Sequence, residues 1–239
     1  MRLAWKVDQP SNDQLWKPLR QAALSCASEG SHRQILDIGG GGGSFGAGIR
    51  ALHPGARLVV IDIAPFKAVE GAVLVKGDAR FLPFRSSKFD TVVARALLHH
   101  LPSEIDRVVE EAARVCAPDG IFVVQEPCAG NLPARFARML VSTTAHEPGE
   151  RPLQIEVMVA AISRHFAVRG AEWFFLISYL APHILSRVRK PLLASGRRLA
   201  ALLGALDAAL LRAMPSLRRY AAYVHICAAE PFDHHIQDP

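Results

Sequence analysis

Cysteine is scarce in this 239-residue chain: there are four, at Cys26, Cys116, Cys128 and Cys227, and no two form a CxxC pair. Such scattering excludes a zinc ribbon and a disulfide scaffold, and it leads to the expectation of reduced thiols in a cytoplasm. Long apolar runs are also missing. The longest charge-free apolar stretch, Trp173 to Ser186, has 14 residues and contains Pro182 and His183, whereas a helix needs about 20 to span a bilayer. Residues Met1 to Asp8 lack the apolar run of an export signal, so a cytoplasmic location is expected. Aromatic residues contribute only 7%. No group of His, Cys, Asp and Glu has metal-ligand spacing, and no metal is expected.

What the chain does have is apolar bulk and positive charge. Half of the residues are hydrophobic, 21% are charged, and the formal net charge is +6. This composition excludes a disordered chain, a collagen and a coiled coil, and the length can bury a core without covalent staples. The charge is local. Leu180 to Tyr220 holds eight basic residues (Arg187, Arg189, Lys190, Arg197, Arg198, Arg212, Arg218, Arg219) against one acid, Asp207, giving +7. The last 19 residues carry −3, which leaves +2 on the first 179.

Strand-like and helix-like segments alternate through the first half, the pattern of a parallel sheet covered by helices. Helices are expected at 14–27, after the glycines through Phe45, Ile49 and Leu52, and after Ser103, a candidate N-cap with Asp106 three residues on. Apolar strands are expected at 34–38, 57–61, 72–75, 91–94 and 121–124. Beyond Pro127 the reading is a helix over 152–165 and strands at 172–178 and 222–228, with the basic segment between those two strands. Leu199, Leu202, Leu203, Leu206 and Leu210 recur there at helical spacing. Such a stripe reads first as core packing, with a lid or a membrane-facing helix as alternatives. No repeat or low-complexity linker divides the chain. It reads as one domain over 1–239, with an N-terminal helix region at 1–29, a cofactor-binding half at 30–127 and a substrate-side half at 128–239 that includes the basic helical insertion 180–220.

The strongest local signal is ILDIGGGGGSFG, Ile35 to Gly46. A strand delivers Asp37; Gly39, Gly41 and Gly43 follow, and a helix opens. Glycine allows positive φ and close approach of backbone to a ligand, and the following helix start points N–H groups at an anion or carboxylate. Asp62 closes the second strand, 25 residues after Asp37, where an acid can take both hydroxyls of a ribose. Asp78, in the Gly77-Asp78-Ala79 turn after the third strand, is placed to accept from an exocyclic amine. Three acids at three successive strand ends outline a nucleoside-shaped cleft.

These motifs, with VVIDIAP around Asp62, GDA before FLPF, FDTVVARALLHHL from Phe89 and the turn Ala117-Pro118-Asp119-Gly120, resemble class I S-adenosylmethionine-dependent methyltransferases. Within them the chain is most similar to the small-molecule group that includes ubiquinone and menaquinone C-methyltransferases. The resemblance spans residues 30–127. It implies a doubly wound, mostly parallel seven-stranded α/β sheet of Rossmann-like methyltransferase type, with the helical insertion before the last strand. It implies S-adenosyl-L-methionine as cofactor. Gly39, Gly41 and Gly43 would pass its methionine part and Asp37 would lie near its amino group. Asp62, with Ile63 beside it, would hold the ribose, and Asp78 and Ala79 the adenine. Ala94 and Arg95 would lie next to the donor methyl. Arg95 departs from the small or polar residue usual there; it either pairs with a substrate anion or turns to the surface.

Methyl transfer from a sulfonium is an in-line displacement that needs alignment, and a general base if the acceptor carries a proton. His99 and His100 follow the fourth strand and are candidates for that base, His100 slightly ahead, or else they pack and cap the next helix. Glu126, ending strand five, is a candidate base or acceptor, or a structural residue. The expected function is methyl transfer to a small or lipid-like acceptor, by O- or C-methylation; the alternative is a protein that binds the cofactor without transferring methyl. The basic insertion reads as a lid, a homodimer element or a peripheral membrane contact. No nucleic acid partner is expected, because exposed aromatics are not interleaved with the basic residues.

Overall fold

A computed structural model describes residues 21–22, 25–26, 34–41, 43–53, 55–64, 70–133, 153–180 and 193–231. Seven strands form one sheet: β1 (Gln34–Ile38), β2 (Arg57–Asp62), β3 (Ala72–Lys76), β4 (Phe89–Arg95), β5 (Cys116–Pro127), β6 (Phe166–Phe174) and β7 (Tyr223–Pro231). Their order is β3-β2-β1-β4-β5-β7-β6. The first five run parallel, and β7 lies antiparallel between β5 and β6. Chain direction across the sheet reverses its winding between β1 and β4, which opens a crevice at their carboxyl ends. This is the doubly wound, mostly parallel seven-stranded sheet expected from the sequence.

Helices accompany it at α1 (Ser44–Leu52), α2 (Ile105–Val115), α3 (Ile155–Ser163) and α4 (Leu193–Ala213), and the described residues 21–22 and 25–26 are helical too. Strand side chains alternate between two cores. Leu36, Ile38, Val92, Ala94, Phe122 and Val124 face α2 and α3, where Val108, Val109, Met158 and Ile162 meet them. Ile35, Val60, Val93, Ile121 and Val123 face the other way, against Ile49 of α1. Burial on both faces explains the continuous apolar runs by which β1, β2, β4 and β5 were legible.

Several expectations need correction. Ser103 is not the N-cap of α2; the helix starts one residue later, after Glu104, with no side-chain cap. Strand β6 occupies 166–174, not 172–178. It is an edge strand, half exposed, interrupted by an irregularity at Gly170 and carrying Arg169 and Glu172, so no apolar run marks it. The apolar residues after it belong to a turn that begins at Phe175, φ 63°. Most of the leucine stripe of α4 is not core: Leu199, Leu202 and Leu206 are 58%, 68% and 50% exposed, while Leu203 and Leu210 are half-buried and Leu210 packs against Leu176, Leu211 and Ala221. Instead Ala200, Asp207 and Leu211 form the buried stripe. The thiols are not all reduced either. Cys26 is disulfide-bonded to Cys227 on β7, with Cα atoms 6.1 Å apart across 201 residues, while Cys116 and Cys128 are free and buried. Most of the helix expected at 14–27 lies outside the described residues, as do His146, His183, His234, His235 and the basic residues Arg187, Arg189 and Lys190.

Candidate active site

Strand β1 ends in a turn where Gly39, Gly41 and Gly43 have φ of 66°, 51° and 70°. At Gly39 a side chain is doubly excluded, since a Cβ would stand 2.7 Å from Leu97 Cδ1. Asp37 lies under this loop, 1% exposed. One of its oxygens accepts the Gly46 amide of α1 at 3.0 Å, and the other, Oδ1, is buried without a partner. Burial pushes the Asp37 carboxyl up to about 6, against the opposing pull of the Gly46 amide and the Arg95 charge. A buried acceptor left open beneath a glycine turn fits a cation or an N–H donor arriving from the cleft.

Asp62 ends β2 and turns back to the loop. Its Oδ2 accepts the Gly41 amide at 2.9 Å and its Oδ1 the Ala64 amide at 2.9 Å. Between these lies Ile63, 68% exposed, an apolar platform at the crevice. Asp78 accepts both the backbone and the side chain of Arg80, with Nη2 at 2.7 Å from Oδ2. The Arg80 guanidinium holds the Asp78 carboxyl below its usual range. Ala79, next to it, is buried. The three acids thus stand at the carboxyl ends of neighbouring strands β1, β2 and β3, as their spacing predicted.

At the end of β4, Ala94 is fully buried and Arg95 turns into the crevice, its guanidinium 5.2 Å from the ring centre of Phe45 in α1. The next residue, Ala96, takes φ 52°, a left-handed turn without glycine. That turn aims the following amides at Glu126. The fully buried Glu126 carboxylate accepts Leu97 N at 2.6 Å, Leu98 N at 2.8 Å and His99 Nδ1 at 2.8 Å. Its oxygens are occupied by these donors, which tie Glu126 to the loop and to His99. His99 is the more enclosed of the two histidines; His100 is exposed, its ring 4.2 Å from that of His99.

Other residues position this site without any local sequence signal. Glu111 of α2, nearly buried, accepts Leu82 N and the guanidinium of Arg114, which itself donates to the Leu82 and Phe84 carbonyls. Arg107 donates to the Arg80 carbonyl. Together they fix the segment that presents Asp78 and Ala79. Across the sheet Arg95, Gln125 and His225 stand in one register row. His225 is 2% exposed, its Nδ1 has no partner, and burial pushes its ring down to about 4, so the imidazole is neutral. No ligand-like spacing with other residues marks it in the sequence.

Residues 36–124 match the family model of the methyltransferase domain. Malonyl-[acyl-carrier protein] O-methyltransferase of Geobacter sulfurreducens is 32% identical over 98 residues, which are 37% of this chain and 36% of that protein. Phthiotriol/phenolphthiotriol dimycocerosates methyltransferase of Mycobacterium tuberculosis is 30% identical over 137 residues, 53% of this chain and 49% of that protein. The chain thus spans about half or less of the curated relatives it matches. Among solved structures, the cyclase SpnF superposes with a TM-score of 0.62 at 20% identity, over 96% of this chain and 86% of that one. The sequence matches are to methyltransferase domains and concern the first half of the chain above all; the SpnF likeness concerns the fold.

Proposed function

We propose that this chain is a methyltransferase that uses S-adenosyl-L-methionine and acts on a small or lipid-like acceptor carrying an acidic proton. The observation that carries the reading is the carboxyl edge itself: a glycine turn over a buried, half-satisfied Asp37, with Asp62 and Asp78 on the two strands beyond. These residues fit the cofactor's parts. Asp37 Oδ1 suits its amino group, Asp62 with exposed Ile63 suits the ribose and one face of the base, and Asp78 with the Ala79 backbone suits the adenine edge. When bound, the cofactor supplies an electrophilic methyl on a positively charged sulfur.

The chain's own residues would then align and deprotonate the acceptor. A carboxylate only accepts, so the contact between His99 Nδ1 and Glu126 puts the ring proton on Nδ1 and leaves the lone pair on Nε2. That pairing of a base with a buried carboxylate is the arrangement of a general base held in one tautomer. It favours His99 over His100 as the base and an acceptor with an O–H or acidic C–H. Arg95, beside Phe45 and near Asp37, would orient an anionic or polar group of the acceptor. The named relatives act on an acyl-carrier-bound malonyl group and on phthiotriol lipids, which supports an acceptor of mixed polar and apolar character.

The test is transfer of label from methyl-labelled S-adenosylmethionine into lipid extract and into acyl acceptors. Label should partition into the acceptor fraction, and His99→Ala should lower the rate by about 100-fold or more while leaving cofactor affinity within about two-fold. Binding of the cofactor without transfer to any fraction would favour the alternative of a cofactor-binding protein. Equal rates for His99→Ala and wild type would remove the base from His99.

A further inference from the structure

We infer that the outer face of α4 docks on an anionic lipid bilayer surface. The helix is stitched to the fold along one narrow stripe. Leu211 packs with Leu176 and Ala221, and Asp207 accepts the Leu176 amide at 2.7 Å, the Ser178 amide at 2.9 Å and the Ser178 hydroxyl at 2.5 Å. The opposite side is left apolar in water: Leu199, Leu202 and Leu206, with Met214 just beyond the helix, are each about half exposed or more. Surface helices ordinarily place polar residues there. On this side of α4 the charges are the exposed Arg198 and Arg212.

Charge decides which partner fits. Asp207 is the only acid between residues 180 and 220, and it is 1% exposed and bonded inward. The folded protein has therefore taken the one negative group of this segment off the surface. What remains is a leucine ridge between arginines, which suits acyl chains under a layer of anionic headgroups. A second copy fits poorly, because a two-fold contact would bring Arg198 and Arg212 against their own copies with no acid to neutralise them. Nucleic acid fits poorly as well, since the ridge offers aliphatic side chains to a polar backbone. No described helix is long and apolar enough to cross a membrane, so the contact is superficial.

The ridge is also well placed. The turn held by Asp207 follows β6, and Asn131, just beyond β5, donates to the Leu176 and Tyr220 carbonyls. These bonds put α4 on the carboxyl edge of the sheet, the edge that carries His99 and Arg95. Exposed Ile177 in the same turn extends the apolar surface. Docking would bring the cleft to the lipid surface, and that part of the inference rests on the proposed function; the docking itself does not.

Flotation of the full chain with vesicles of phosphatidylglycerol and phosphatidylcholine, against phosphatidylcholine alone, tests it. Binding is expected on the anionic vesicles at low salt and should fall by about ten-fold or more at about 0.5 M salt. The pair L202E and L206E, both on exposed positions, should reduce binding about ten-fold or more, and R198E with R212E should remove the preference for anionic lipid. Circular dichroism and cofactor calorimetry on each variant report folding and the cofactor site separately, so failure of docking is distinguishable from failure of the methyltransferase reading. No flotation at low salt, or wild-type flotation by L202E/L206E, overturns the inference. So does a dimer in sedimentation velocity that L202E/L206E dissociates, which would assign the ridge to a second copy.

Discussion

Asp37 and Glu126 show how two buried carboxylates at one cleft take different tasks. Glu126 is saturated with donors, whereas Asp37 has one oxygen bonded and one open. The Asp37 carboxyl is raised from 3.8 to about 6 by burial, so between those values the folded protein holds a proton that the unfolded chain has released. The ligand-free protein should lose stability as pH rises through that window and level off above about 6. Asp37→Asn should abolish that fall, seen as a smaller difference between urea midpoints at about pH 4.5 and about pH 7.5. A positively charged amino group at Oδ1 favours the ionised form, so cofactor affinity should rise with pH over the same range. For Glu126→Gln, an amide N–H would face backbone donors, and a loss of about 1–3 kcal/mol in unfolding free energy is expected, with slower transfer. Ala96 is the residue no pattern announces: a non-glycine at φ 52° whose turn creates the donors for Glu126. The glycines and acids of the first three strands were legible because each needs only its own strand end. Glu111 and Arg114 were not, because the Leu82 and Phe84 backbone groups they hold lie on a segment distant in the sequence.

At the scale of elements, α4 carries the clearest lesson. Its leucine spacing announced a helix and suggested a core stripe, yet the helix turns Leu199, Leu202 and Leu206 outward and buries Asp207 instead. Periodicity identifies a helix; it does not say which face the fold will take when a buried acid caps a neighbouring turn. Removing that acid should be costly. Asp207→Ala would strand the Leu176 and Ser178 amides, and a destabilisation of about 2–4 kcal/mol is expected in urea unfolding, with faster hydrogen exchange over 193–213. Strand β6 was misplaced for the opposite reason. As a half-exposed edge strand paired on one side, it lacks the apolar run that marked its buried neighbours, and the apolar run that followed it belongs to a turn.

For the whole molecule, sequence alone sufficed for the sheet's first five strands and for the position of the helical insertion, since both follow from short connections and strand alternation. It could not supply the Cys26–Cys227 link, which joins residues 201 apart and departs from the expectation of reduced thiols. Among the described residues of the basic insertion, Arg198 and Arg212 lie exposed on the outer surface of α4. The cofactor edge carries acids. On the proposed reading, the acidic edge of the sheet takes a cationic, nucleoside-containing cofactor and the helix beside it docks on an anionic surface. Calorimetric titration of the full chain with S-adenosyl-L-methionine is the decisive measurement for the cofactor edge. Saturable binding is expected, weakened by Asp62→Ala by about 1–3 kcal/mol through loss of the ribose acceptor. Binding of NAD in place of S-adenosylmethionine, or unchanged affinity in Asp62→Ala, would contradict that reading.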